Sequence, residues 1–162
     1  MDNTEHKGFE AGIDINLTPS RNGQSLTLRS AYSFNDFRFV DAGSLGAIDG
    51  NRLAGVPQHV YRGELRYDKV DEWFAAINVQ VAGGSFYADH ANLVNVPTYT
   101  VVGFSAGMQL TDQVVIFASG ENITNLDYIG GVTPVLSQTV QNGRIFTPAS
   151  RASIYGGLKY RF

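Results

Sequence analysis

The feature that most constrains the fold is a strict alternation of apolar and polar residues. From Phe9 to Thr18, every second residue is apolar, without an error over these ten positions. A repeat of two places successive side chains on opposite faces of an extended chain, whereas a helix repeats every three to four residues. The pattern therefore predicts a β-strand with one apolar face and one polar face. Comparable alternation recurs in residues 25–35, 59–68, 73–81, 102–110 and 151–162.

A further strand is predicted over residues 114–120. Val114 to Ala118 are all apolar, so the sequence does not show which side of this strand faces which way. Near Phe37 to Val40, at the far end of the second strand, the alternation is lost. The connections between the seven strands are short after the first, third and fifth and long after the second, fourth and sixth. The predicted fold is all-β, an antiparallel up-and-down meander of about seven strands, with the layout of an outer-membrane barrel.

Turn-forming residues agree with this division. Asn22-Gly23 lies between the first two strands, and Asn142-Gly143 lies in the longest loop; such pairs supply the positive φ of a tight turn. Proline cannot donate a hydrogen bond to a strand ladder, so it is tolerated at turns and strand entrances. All five prolines fall in such places: Pro19, Pro57, Pro97, Pro134 and Pro148.

Composition limits the classes of function. Charged residues are 17% of the chain, below the ~25% of an average soluble domain. The longest apolar run, Val114 to Ala118, is far shorter than the ~18 residues of a membrane-spanning helix, so any membrane crossing must use strands. A net charge of -3 argues against nucleic acid as a partner, and the absence of cysteine excludes disulfides and thiolate chemistry.

No catalytic constellation is evident. The histidines His6, His59 and His90 lie on separate elements, and none has a metal-ligand spacing with another. We therefore predict no enzyme activity, no metal site and no cofactor.

The second long loop contains the candidate ligand contacts Phe86, Tyr87 and His90, because binding residues concentrate on loops. Two alternatives apply. Phe86 and Tyr87 would also fit an aromatic girdle at the outer membrane surface. Asp89 and His90 would also fit an exposed polar pair without a ligand.

Other residues are assigned to faces of the sheet. Arg62, Glu64 and Arg66 share one face, where charges of mixed sign can pair across neighbouring strands, with a substrate path as the alternative. The aromatic residues near the short-turn end of the apolar face predict a second girdle: Tyr67, Trp73, Tyr160 and Phe162.

The end of the chain alternates up to its last residue. Its apolar face consists of Ile154, Gly156, Leu158, Tyr160 and Phe162. A final aromatic residue on an apolar face is unusual for a soluble protein, whose ends are commonly polar and frayed. The ending resembles the C-terminal assembly signal that the insertion machinery reads in bacterial outer-membrane β-barrels. The alternative is a core edge strand that happens to end the chain.

Five segments, in order, resemble the TonB-dependent outer-membrane receptor family. They are residues 3–10, 50–59, 99–107, 121–125 with Tyr128, and 146–151. The second contains a Gly-Val-Pro-x-His core, although Ala54 stands where proline is frequent. The fourth resembles a Glu-Asn-Leu-Phe-Asp motif, with Ile123 and Thr124 in place of Leu and Phe.

The resemblance implies that residues 1–162 form the C-terminal part of a 22-stranded barrel whose plug and N-terminal strands are absent. The odd strand count and an N-terminus without a signal-peptide pattern favour the same interpretation.

The implied function is TonB-dependent uptake of a scarce nutrient in the bacterial outer membrane. An iron-siderophore complex is the expected ligand, with cobalamin or a similar nutrient as the alternative. The implied partners are outer-membrane lipid, the barrel-assembly machinery and, through the plug, TonB. Two alternatives stay open: a soluble ligand-binding β-barrel or sandwich, and a small outer-membrane β-barrel protein such as a lipase or protease.

Overall fold

The computed structural model describes residues 3–18, 23–137 and 145–162. Its strands are β1 (Asn3–Asn16), β2 (Gln24–Asp41), β3 (His59–Lys69), β4 (Trp73–Gly83), β5 (Tyr99–Gln109), β6 (Val114–Glu121), β7 (Ile129–Val132), β8 (Phe146–Pro148) and β9 (Ser153–Tyr160). A 3-10 helix spans Gly43–Ile48. Strands β1 to β6 and β9 form one antiparallel sheet in chain order, which confirms the predicted meander of seven strands.

The longest loop contains a hairpin that the sequence did not predict. Strands β7 and β8 pair with each other in a separate two-stranded sheet. Of the two predicted turn pairs, Asn22 and Asn142-Gly143 lie outside the described residues, while Gly23 has a φ of 73°. No helix in the described part of the chain has the length and hydropathy needed to cross a membrane.

The strand register assigns one apolar face across the whole sheet. Leu65 on β3 pairs with Ile77 on β4, which pairs with Phe104 on β5. Ile77 is 53% exposed although it lies in the middle of its strand. Within the part of the chain that the structure describes, no second layer of protein covers the apolar side chains of this face.

Pairing also settles the orientation of β6. Met108 pairs with Ile116, and Ile116 pairs with Leu158 on β9, so Ile116 belongs to the apolar face. Phe117 consequently lies on the polar face, where its ring covers Gly157 so closely that an added Cβ would clash. The apolar run of β6 thus serves both faces.

At the long-loop end of β1 and β2, the two faces exchange their polarity. Lys7 pairs in register with Asp36 on the side that is apolar lower down. On the opposite side, the ring of Phe37 stacks on His6 with 4.4 Å between the ring centroids. The strand therefore continues to Asp41 through the segment where the simple alternation is lost.

The last strand is shorter than predicted. Strand β9 spans Ser153–Tyr160, and Phe162 lies beyond its end and is fully exposed. The backbone N–H of Arg161 still donates to the carbonyl of Gln113 at 2.9 Å, so the ladder extends one residue past the strand.

Candidate functional site

The three long connections, residues 42–58, 84–98 and the described part of 122–152, form what we term the loop layer. Backbone hydrogen bonds join them to one another. The N–H of Gly55 donates to the carbonyl of Tyr87 at 2.8 Å, and the N–H of Ala91 donates to the carbonyl of Leu136 at 2.9 Å. The loop layer is therefore one connected structure.

A small apolar cluster lies inside the loop layer. Its buried members are Phe86, Ala88, Val96 and Ile145, drawn from two different loops. Phe86 is only 5% exposed, so it packs in the loop interior and does not belong to a girdle at the membrane surface. Tyr87 is half-buried, and its hydroxyl makes no hydrogen bond within residues 3–18, 23–137 and 145–162.

Asp89 organises the turn that follows these aromatic residues. Its Oδ1 accepts hydrogen bonds from the backbone N–H groups of Leu93 at 2.9 Å and Val94 at 3.0 Å. Asp89 is fully buried, so the prediction of an exposed polar pair is wrong for this residue. A carboxylate can be buried here because backbone donors satisfy it.

Asn92, three residues later, joins this turn to the first long loop. It has a φ of 56°, a conformation that Asn tolerates better than most residues. Its side chain accepts from the N–H of Arg52 at 2.8 Å and donates to the carbonyl of Arg52 at 2.9 Å. The pair of bonds fixes the spacing of the two loops.

His90 also joins the first and second loops. Its Nδ1 accepts a hydrogen bond from the backbone N–H of Ala54 at 3.1 Å, so the neutral ring carries its hydrogen on Nε2. Burial lowers the pKa of His90 below its ordinary value, and the nearby charge of Asp89 opposes that shift. His90 is therefore neutral at pH 7 and able to keep this bond.

The Gly-Val-Pro-x-His segment connects the loop layer to the sheet. Gly55 has a φ of 83°, and an added Cβ would lie 2.9 Å from the ring of Pro134 in the third loop. Oε1 of Gln58 accepts from the N–H of Ser85 at 3.1 Å. Nδ1 of His59 and the hydroxyl of Tyr32 lie 2.6 Å apart. The segment is thus a structural joint between three loops and the sheet.

The Glu-Asn segment fixes the base of the third loop. The buried side chain of Asn122 donates to the carbonyls of Leu126 at 2.8 Å and Ser150 at 3.1 Å. It also accepts from the N–H of Leu126 at 2.9 Å. Asn122 has a φ of 49°, which explains why Asn suits this position. The loop is closed where it leaves β6 and where it returns to β9.

Charges on the polar face pair across strands, as predicted. The guanidinium of Arg29 on β2 contacts Asp14 on β1 at 3.2 Å and Glu64 on β3 at 2.9 Å. One cation thus links three strands through two carboxylates.

Arg66 and Arg62 differ from that expectation. Arg66 pairs with Asp68 on its own strand at 2.7 Å and lies over the ring of Phe74 on β4, 4.0 Å from its centroid. Arg62 is exposed and makes no ion pair with any residue that the structure describes.

The aromatic residues predicted for the short-turn end lie there on the apolar side. The rings of Tyr67 and Trp73 stack with 4.9 Å between centroids, and those of Tyr160 and Phe162 meet edge to face at 5.0 Å. Ile154 and Leu158 of the predicted assembly signal are exposed on the same face. The reading of these residues by an assembly machinery stays a prediction.

No group of three or more His, Asp and Glu side chains in the described ranges could hold a metal ion. His6 stacks on Phe37 and His59 contacts Tyr32, while His90 contacts Phe39 edge to face at 5.0 Å. The three histidines thus pack against aromatic rings in separate places.

Comparison with known proteins explains this architecture. Residues 1–123 match the model of the TonB dependent receptor-like, beta-barrel family. The chain belongs to this family. The match confirms the resemblance inferred from the five sequence segments. The family comprises receptors and transporters of the bacterial outer membrane and is not a class of enzymes.

A solved structure supports the same fold. The chain is similar to the siderophore receptor PiuA from Acinetobacter baumannii, with a TM-score of 0.78 and 16% sequence identity. The likeness covers 98% of this chain and 22% of the PiuA chain. The chain thus spans less than a quarter of the length of that receptor.

Proposed function

We propose that this chain forms part of the wall of an outer-membrane receptor for the TonB-dependent uptake of a scarce nutrient, an iron-siderophore complex. The observation that carries the proposal is the match of residues 1–123 to the receptor family, on a sheet whose apolar face includes large exposed side chains such as Ile13, Ile77 and Leu158. The ligand class rests on the similarity to PiuA, which is a siderophore receptor.

Membrane lipid is the proposed neighbour of the apolar face. On β2 this face runs from Leu26 to Phe34, eight residue steps or about 27 Å of strand, which a tilt of ~40° shortens to about 20 Å. With side chains at both ends, this approaches the ~25 Å apolar band of membrane barrels. Beyond Phe34 the same side carries Asp36 and Lys7, as expected where a strand leaves the lipid.

We assign residues 1–162 to the C-terminal part of the receptor's barrel domain, with TonB acting through a plug outside this chain. The partial coverage of the PiuA chain supports this assignment. An antibody against the last strand, applied to outer-membrane fractions of the source cells, tests both location and size. A band several times larger than 17.6 kDa is expected. A band of 17.6 kDa, or a signal only in soluble fractions, would contradict the assignment.

Ligand contact is proposed for the loop layer. Tyr87 and His90 are half-exposed and would touch the ligand, while Phe86 would position them from the loop interior. Assembly of the barrel would use the terminal segment from Ile154 to Phe162.

Uptake of radioactive iron bound to siderophores tests the function. Cells that lack the gene should lose uptake of one siderophore complex, and a protonophore should abolish uptake in the parent cells. Tyr87→Ala should weaken binding to intact cells, whereas Leu93→Ala, an exposed change in the same loop, should not. Unchanged uptake of every siderophore tested in the deletion strain would exclude the proposed ligand class.

A further inference from the structure

A polar cleft of about 310 Å³ lies where the sheet meets the loop layer. Its lining includes Asn78 on β4, Gly103 on β5, Glu121 at the end of β6, and Tyr128 and Arg151 from the third loop. The volume is at the small end of the ~300–1,000 Å³ range of ligand pockets. The cleft opens on the polar face of the sheet, away from the surface proposed to face lipid.

The absence of a side chain at Gly103 allows the cleft to reach the sheet. An added Cβ at this position would lie 2.7 Å from Oδ1 of Asn78 and 2.8 Å from the carbonyl oxygen of Gly120. The amide of Asn78 therefore lies against the backbone at the cleft floor. Among described residues, the side chain of Asn78 has no hydrogen-bond partner.

The charge in the cleft is unbalanced. The guanidinium group of Arg151 pairs with the carboxylate of Asp127. Its Nε donates to Asp127 at 2.9 Å and its Nη2 donates at 3.1 Å. The carboxylate of Glu121 makes no ion pair or side-chain hydrogen bond with any residue in the described ranges. A cation and its partner cancel each other, so the net charge left is the negative charge of Glu121.

The lining of the cleft also includes an aromatic ring, that of Tyr128. The ring of Tyr128 packs on Tyr99 with 4.4 Å between centroids. Burial raises the pKa of Tyr128, and the neighbouring Tyr99 and the negative charge of Glu121 raise it further. Glu121 and Tyr128 both line the cleft, so a ligand bound there can contact the carboxylate and the phenol ring together.

We propose that the cleft binds a small organic cation, whose primary ammonium group is held by Glu121 and Tyr128. An ammonium offers three N–H donors, which suit the Glu121 carboxylate and the Asn78 amide oxygen, and its charge is attracted to the face of an aromatic ring. An anion would find its only guanidinium in the cleft already paired with Asp127.

Matched probes test the chemistry. Phenethylammonium and 2-phenylethanol have the same shape and differ in the charged group, and phenylacetate supplies the opposite charge. Binding to the purified protein in detergent micelles would be followed by NMR or calorimetry. Phenethylammonium should bind at least tenfold more tightly than either other probe. Equal binding of the ammonium and the alcohol, or preference for phenylacetate, would overturn the proposal.

Variants locate the binding. Glu121→Gln keeps the shape of the side chain and should reduce phenethylammonium binding at least tenfold, to the level of the alcohol. Glu10→Gln, which changes a carboxylate on the same face but far along the sheet on β1, should leave binding unchanged. Equal losses in both variants would show a general charge effect and refute the site.

This test is independent of the proposed function. Cation binding in the cleft can succeed while iron uptake fails, and the reverse outcome is equally measurable. Among the described residues, the side chain of Glu121 makes no hydrogen bond or ion pair, so loss of binding in Glu121→Gln with an unchanged circular dichroism spectrum would report on the site itself.

Discussion

In the seven-stranded sheet, apolar side chains such as Ile77 are more than half exposed, whereas in the loop layer Phe86 and Val96 are almost wholly buried. Within the described ranges, the buried apolar residues of the sheet are the small Ala76 and Ala82. Loops usually lie on a surface and strands usually carry the core. This chain reverses that distribution.

The difference shows where each region obtains its stability. The sheet has its backbone ladder, but its apolar side chains gain little burial from the chain itself and depend on the surroundings. The loop layer contains its own apolar core and the buried carboxylate of Asp89, which accepts backbone hydrogen bonds. Further hydrogen bonds join one loop to another. The loop layer can therefore keep a defined shape in water beside a sheet that needs an apolar medium.

The largest expected effect is on the loop core. Phe86→Ala removes a buried aromatic ring, a change that costs about 3–5 kcal/mol. The amides of Ala88 and Val96, which donate to the carbonyls of Val94 and Phe86, should then exchange hydrogen much faster. Amides in the middle of β4 should keep their protection. Equal loss in β4 would show that the two regions unfold as one unit.

The complementary change concerns the sheet. Ile77→Arg places a charge in the middle of the apolar face, which costs about 2–4 kcal/mol at the centre of a bilayer. Asn78→Arg, one residue later on the polar face, is the matched control and should cost much less. Urea titrations of the protein in lipid vesicles measure both. Equal stability of the two variants would break the assignment of faces.

Asn122 tests the base of the third loop, where the loop layer meets the sheet. Asn122→Ala loses three hydrogen bonds and also places alanine at a backbone φ of 49°. The backbone strain alone should lower the free energy of unfolding by about 1–3 kcal/mol. Asn122→Gly loses the same bonds without the strain and should be the more stable variant. Hydrogen exchange at Leu126 reports the difference. Greater damage from glycine than from alanine would exclude backbone strain as the cause.

The smallest effect is the pH response of the loop layer. The folded pKa of His90 lies below its ordinary value of 6.5, so its stabilising bond to Ala54 is present above that pH and is lost as the pH falls through the lower, folded value. A hydrogen bond of this kind contributes about 0.5–1.5 kcal/mol. The protection of the Ala54 amide, its exchange rate compared with that of an unfolded amide at the same pH, should therefore fall in acid. His90→Ala should remove this pH dependence, and its persistence in that variant would contradict the assignment.

The alternation of apolar and polar residues predicted the sheet because each strand has one side on the apolar face and one side on the polar face. It failed near Phe37 because the environments change there: Arg38 pairs with Asp36 on one side, while Phe37 and Phe39 meet histidine rings on the other. It could not orient β6, whose apolar residues also cover glycine on the polar face. Only the register with β5 and β9 resolves that strand.

Most contacts of the loop layer could not be predicted from the sequence because they join residues that are far apart in the chain. The pairs β7–β8 and Asn92–Arg52 close over separations that no local pattern marks. One signal was available: Asp89 followed by Asn92 is typical of a turn in which a carboxylate accepts backbone N–H groups. Phe86, Tyr87 and His90 were found in one loop, but the sequence did not reveal that Phe86 faces inward.

The central claim is that the apolar face of the sheet meets lipid and the polar face meets water. The chain has no cysteine, so single cysteines at Ile77 and Asn78 can carry a nitroxide label without other changes. In outer-membrane vesicles, the label at 77 should be relaxed by oxygen and shielded from a water-soluble nickel chelate. The label at 78 should show the opposite response. Nickel access at both positions, or the reverse pattern, would contradict the account.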